Sequence, residues 1–161
     1  GETLLIDGSR EIVVESEFAN QYAAGGERTL IDFLRGSNEF KTGEWQGYWG
    51  QDLVAIVDLG EVKAIKHTAL GALQETKPWI IYPKQVEFFV STDGKNFTSF
   101  GTAVNDVDAK DYTIQHRDFE VFGSTKARYV KVVATNYGIL PDWHLGAGGK
   151  AWLFVDEIVI D

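Results

Sequence analysis

The sequence predicts an all-β sandwich. Short apolar runs rich in β-branched residues recur along the 161-residue chain, and turn chemistry separates them, with 17 glycines and three prolines as punctuation. Helical periodicity is scarce over the same stretches. The length suits one domain, and the 44% hydrophobic content supplies a core without staples.

Taken in order, Leu4–Val14 reads as an edge strand or lead-in, within a lead-in that covers residues 1–19. Leu53–Leu59 is apolar and β-branched and is closed by Gly60. Val62–Leu73 continues the pattern after a tight Gly60-Glu61 turn. Val86, Phe88 and Val90 alternate with Glu87 and Ser91, the pattern of a half-buried strand. Asp93-Gly94 is a favoured hairpin pair, with Phe97–Val104 as the returning strand. Tyr112–Phe122, Ala127–Thr135 and Trp152–Ile160 complete a set of about seven or eight strands, as in a sandwich or barrel. No repeat or linker divides the chain, so residues 1–161 form one expected domain. The absence of methionine, even at the first position, marks it as a piece excised from a larger protein.

Three stretches fall outside the strand pattern: Tyr22–Asp52, Gln74–Pro83 and Asn136–Lys150. Long irregular connections in a compact domain usually carry function. These hold many of the polar aromatics, among them Trp45, Tyr48, Trp49, Trp79, Tyr82, Tyr137 and Trp143.

Composition excludes several functions. A formal net charge of -9 argues against a nucleic-acid backbone or an anionic membrane surface as partner. Without cysteine there is no disulfide, zinc knuckle or thiol nucleophile. No apolar run approaches the roughly 18 residues of a membrane span. The sequence contains no nucleophile-elbow, zinc-protease or phosphate-loop motif. Gly146–Gly149 lacks the strand-to-helix setting of a phosphate cradle. Asp156-Glu157 resembles an acid pair, but neighbours on an ideal strand face opposite sides. Asn96-Phe97-Thr98 matches a glycosylation sequon by chance of a hairpin.

An ordered set of segments then carries a family resemblance. It runs through Thr29-Leu30-Ile31-Asp32, Gly43-Glu44-Trp45-Gln46-Gly47-Tyr48 and Val57-Asp58-Leu59-Gly60. It continues through Val86-Glu87-Phe88, Ser91-Thr92-Asp93-Gly94-Lys95-Asn96-Phe97, Arg128-Tyr129-Val130-Lys131-Val132 and Phe154-Val155-Asp156-Glu157-Ile158. In this order the chain resembles the discoidin family, also called coagulation factor 5/8 type C, over about residues 20–160. Its bacterial branch is the family 32 carbohydrate-binding modules. The form of residues 36–48 looks like modules attached to Bacteroides-type glycoside hydrolases of the chitobiase or β-hexosaminidase kind. The missing cysteines favour that branch over the disulfide-bearing, lipid-binding one.

The resemblance implies a jelly-roll β-sandwich of the galactose-binding-domain type, with ligand loops at one end. It implies a secreted, periplasmic or cell-surface bacterial module, monomeric and non-catalytic, which targets an attached catalytic domain to glycans of the galactose or N-acetylhexosamine type. It also implies a structural calcium. Asp32 and Glu157 match the family's acidic ligands, with oxygens from Arg35 to Asn38 and the carbonyl of Phe154 or its neighbour to fill the shell. Phe33 after Asp32 and a long loop to Trp45 depart from the usual pattern. In the plainer reading, Asp32 caps a short helix over Leu30–Arg35 and Glu157 pairs with a lysine.

Sugar recognition needs a flat aromatic for the C–H face and fixed polar groups for the hydroxyls. Trp143 and His144 supply both types side by side, and Asp142, Gln74, Glu75, Lys77 and Trp79 are the facing candidates. Trp45 and Trp152 read as inward anchors, and His67 and His116 as structural or spectator residues. A structural or protein-interaction spacer is the alternative to glycan binding. A catalytic domain would need a convergent pair of carboxylates.

Overall fold

The computed structural model describes residues 10–161. Among the described residues seven strands form the framework: β1 (Glu11–Val14), β2 (Gln46–Trp49), β3 (Leu53–Gln74), β4 (Gln85–Ser91), β5 (Thr98–Val104), β6 (Gln115–Ala134) and β7 (Trp152–Ile160). Three short 3₁₀ helices, Asn20–Tyr22, Gly26–Ile31 and Phe40–Thr42, lie in the segment between β1 and β2.

One hydrogen-bonded path runs β2-β7-β3-β6-β4-β5, with β1 also on β3, and all pairings are antiparallel. The two long strands make this path a sandwich. As a straight strand the 22 residues of β3 would span about 73 Å, whereas a chain of this length has a radius of gyration of only about 15 Å. The β3–β6 ribbon therefore folds over where its register shifts, between Asp58 and Lys63 and again between Ile65 and His67. Before the fold, β3 pairs with β1 and with residues 129–134 of β6; β4 and β5 extend that layer. After it, β3 pairs with residues 115–127 of β6 and with β7; β2 extends the second layer.

The core lies between the layers. Val86 and Phe88 of β4 share one buried cluster with Leu153, Val155 and Ile158 of β7, although the two strands are not neighbours in the path. Residues 53–59 alternate between buried and half-buried positions, as their sequence pattern predicts.

The structure corrects four expected details. Gly60, at φ +87°, sits in the irregular bend of one continuous strand and does not separate two. The expected strands Tyr112–Phe122 and Ala127–Thr135 likewise merge into β6, and Tyr112 falls in the preceding loop. The Asp93-Gly94 connection is the longer loop 92–97, in which Asp93 Oδ1 accepts the Lys95 and Asn96 amides. β2 was hidden in a stretch read as irregular, because Gln-Gly-Tyr-Trp carries no β-branched run. Of the expected edge strand Leu4–Val14, the structure supplies Glu11–Val14; residues 4–9 lie outside the described residues.

Candidate functional site: the loop end

Three loops meet beyond the ends of β3, β5 and β7: residues 75–84, 105–114 and 135–151. Buried polar side chains tie them together. Gln74, fully buried, donates through Nε2 to the carbonyls of Asp108 (3.1 Å) and Asp111 (3.2 Å) and accepts the Tyr82 amide at 3.1 Å. The Thr76 hydroxyl donates to the Ala109 carbonyl at 2.8 Å. His144 is only 4% exposed. The Gly146 amide donates to its Nδ1 at 2.8 Å, so Nε2 carries the ring proton and donates to the Thr76 carbonyl at 2.6 Å. Both nitrogens are engaged.

Two expected sugar contacts are therefore corrected. Gln74 and His144 brace the loops from inside, because their polar atoms are needed to satisfy backbone groups that the loops bury. Trp79 is a third brace. It holds φ +77°, and its ring lies on Gly146 and Gly149, where a Cβ would collide with the indole. The remaining candidates face outward. Trp143 is half-buried against Ile81, Leu140 and Ala151, and Asp142 and Lys77 are exposed.

Beside them opens a recess of about 550 Å³, with Phe40, Glu75, Lys77, Pro78, Tyr112 and Ile114 on its walls. Tyr112, 52% exposed, meets Trp143 edge-on, 6.4 Å between ring centres, and the Lys110 ammonium lies 5.3 Å above the indole. Burial, with Glu39 nearby, pushes the Glu75 carboxyl above its ordinary range. Aromatic, ammonium and carboxylate groups thus converge on one concave surface. Sequence reading missed Tyr112 and Phe40: Tyr112 looked like the first residue of a strand, and Phe40 had no pattern around it.

The loop carrying Phe40 is fastened by the acidic pair on β7. A register shift between Leu70 and Ala72 places an extra β7 residue opposite Gly71. Asp156 and Glu157 consequently both serve the segment 33–36, contrary to ideal alternation. Asp156 Oδ2 accepts Arg35 Nε (3.0 Å) and the Gly36 amide (2.8 Å); Glu157 Oε1 accepts the Phe33 amide at 3.0 Å. Glu157 and Asp32 are 3% and 4% exposed and lie against each other. Burial first, and then the Asp32 charge, push the Glu157 carboxyl up to about 9. Phe33, at φ +64°, is held in a strained turn beside them.

Asp32 follows the helix Gly26–Ile31 and does not cap its start; its Oδ1 accepts the Leu34 amide at 2.9 Å. Glu157 meets Asp32 where the plainer reading expected a lysine. Two facing carboxylates in a dry site are the donor set that a hard cation neutralises, and Thr29 lines the adjoining recess with Asp32. Among the described residues, no third His, Asp or Glu joins them. The side chains of the other expected metal residues point to other work. Arg35 binds Asp156 and Asp118, and Asn38 accepts from His116 Nδ1 at 2.6 Å. Phe154 pairs with Gly47 and Leu73, three residues and so roughly 10 Å back along β7 from Glu157.

A family model of the F5/8 type C domain matches residues 11–155. The chain belongs to the F5/8 type C family. Among solved structures it is similar to CpGH89CBM32-5 from Clostridium perfringens, whose structure is a complex with GalNAc-β-1,3-galactose. The two are 21% identical over 96% of each chain, with a TM-score of 0.57. It is similar to CBM32-3 from a family 31 glycoside hydrolase of Clostridium perfringens, at 12% identity over 96% of this chain and 91% of that one, TM-score 0.59. A pectin-binding carbohydrate-binding module shares 15% identity over 94% and 88% of the two chains, TM-score 0.55. At these identities the likeness is one of fold. No curated protein matches the sequence. The F5/8 type C assignment accords with the layered β-sandwich described above.

Proposed function

We propose that this F5/8 type C domain is a carbohydrate-binding module that holds an attached glycoside hydrolase, of the chitobiase or β-hexosaminidase kind, on its glycan. The observation that carries the reading is the half-exposed pair Tyr112 and Trp143 beside the recess that holds Lys77 and Glu75. A pyranose stacks its C–H face on an aromatic ring while flanking charges take its hydroxyls. The similar folds solved with sugars or described as sugar-binding support it. Galactose- and N-acetylhexosamine-type sugars are the proposed ligands, and tethering raises the effective concentration of a weakly binding monomeric module. Such a role belongs outside the cytoplasm, on secreted, periplasmic or surface enzymes. Calorimetric titration with galactose, N-acetylgalactosamine and N-acetylglucosamine tests the reading; no heat from any of them at millimolar concentration sinks it.

We also propose that calcium binds at Asp32 and Glu157, with the Thr29 hydroxyl and backbone carbonyls of the 32–35 turn completing an oxygen shell. The ion would supply positive charge where two buried carboxylates face each other. Asp32 and Glu157 would then hold the loop that carries Phe40 and Lys41 to the recess. A melting temperature that rises with calcium and falls with chelator is the expected result.

A further inference from the structure

Next to the aromatic recess, on the outer face of the second layer, lies a second hollow of about 450 Å³. Arg35, His116, Arg117, Asp118, Glu120 and Asp156 line it, so its chemistry is polar where the recess is largely apolar. Gly71, the residue paired with Asp118, lies behind this hollow; a side chain there would run into Asp156 and Arg35. The Asp156 side chain is 1% exposed, and its Oδ1 has no hydrogen-bond partner. That oxygen is packed against Gly71, so Asp156 serves the hollow by fixing Arg35 and Gly36 at its wall, and the groups a ligand can reach are Asp118 and His116.

Each charged side chain of the hollow already has a partner. Arg35 spans Asp156 and Asp118, Arg117 donates to Asp106 at 3.0 Å, and Glu120 meets His67 at 2.9 Å. A hydroxyl-rich neutral molecule suits such a surface better than an ion. His116 donates through Nδ1 to Asn38, which leaves Nε2 open as an acceptor.

Only one ridge separates the two hollows. Asn38 reaches from the loop to His116 and to the Ile114 carbonyl (3.5 Å). Ile114 lines the first hollow and His116 the second, two residues or roughly 7 Å apart along the chain. A single pyranose fills one hollow; an oligosaccharide crosses the ridge. We infer that the ligand is a neutral oligosaccharide that stacks one unit on Tyr112 and Trp143 and lays the following units over Asn38 and His116. Their hydroxyls bond to Asp118 and His116 Nε2. This rests on the glycan reading above.

The test is titration of the intact domain with β-linked N-acetylglucosamine and galactose series, from monomer to tetramer, with amide chemical shifts followed in parallel. In one series, affinity is expected to rise at least about tenfold from monomer to tetramer. The tetramer is expected to shift the amides of residues 116–120, which the monomer leaves in place. His116→Ala and Asp118→Ala, checked by melting for an intact fold, are expected to bring the ratio of tetramer to monomer affinity toward unity. A monomer that binds as tightly as its tetramer, or amides at 116–120 that never move, overturns the inference and leaves the glycan reading standing. Failure of every sugar at every length sinks both.

Discussion

At the scale of single residues, the loop end divides into side chains that brace and side chains that face solvent. Tyr112 is 52% exposed, so its truncation is read in binding and not in folding, whereas Trp143 also packs on the loop cluster and its truncation is read in both. Tyr112→Ala is expected to weaken sugar affinity by roughly tenfold, about 1.4 kcal/mol, with the melting temperature nearly unchanged; Trp143→Ala is expected to lower both the affinity and the melting temperature. Glu157 predicts a pH dependence. Its carboxyl titrates near 9 when folded against an ordinary 4.5, so the native state holds more protons than the unfolded one between those values. Metal-free stability therefore falls as pH rises from about 5 to about 9. His67 acts with the same sign. Asp161 and then Glu120 raise its pKa, and the stability it gives below the unfolded value is lost as pH passes the folded one. Glu157→Gln separates the two: melting scans in chelator should show a flatter pH profile and a more stable protein at pH 8. The calcium-dependent rise in melting temperature should vanish.

At the scale of elements, the irregularity in β7 organises the site. It turns Asp156 and Glu157 toward one loop, and that loop carries Phe40 to the recess. Gly71 opposite it leaves room for Asp156 and Arg35. Gly71→Ala should cost about 1–3 kcal/mol in chemical denaturation, the usual cost of overpacking a tight site. The sequence showed the acids but not the irregularity. Alternation of side chains holds for an ideal strand, and nothing local to Val155-Asp156-Glu157 announces an extra residue. Likewise Leu53–Gln74 looked like two strands around Gly60-Glu61, because the same residues suit a tight turn and a fold-over in a continuous ribbon.

At the scale of the molecule, the charge of -9 sets what the surface repels. The domain is expected to stay in the supernatant when sedimented with phosphatidylserine vesicles at 0.15 M salt, where anionic lipid offers it only repulsion. Binding of neutral sugars should be nearly independent of salt, since no counterions are released. Calorimetry at low and high salt checks this, and a steep salt dependence would point to an ionic ligand in place of a neutral glycan.

The sequence by itself determined the layered β architecture, the place of the loop end and the acidic pair. Alternation, turn chemistry and ordered family segments are local signals, readable a few residues at a time. It also placed Trp143, Lys77 and Asp142 in loops. Only the tertiary structure decided which of the loop residues face outward and which brace the loops. Gln74 and His144 look like ideal hydroxyl partners in a string of letters. They are taken up by carbonyls from loops more than thirty and sixty residues away, respectively, and by amides nearer in the chain. Burying a loop creates backbone groups that must be satisfied, and the nearest amide or imidazole is drawn inward to do it. Exposed Tyr112 and half-buried Phe40 are left to line the recess. That division depends on how distant loops cross, which no stretch of sequence states.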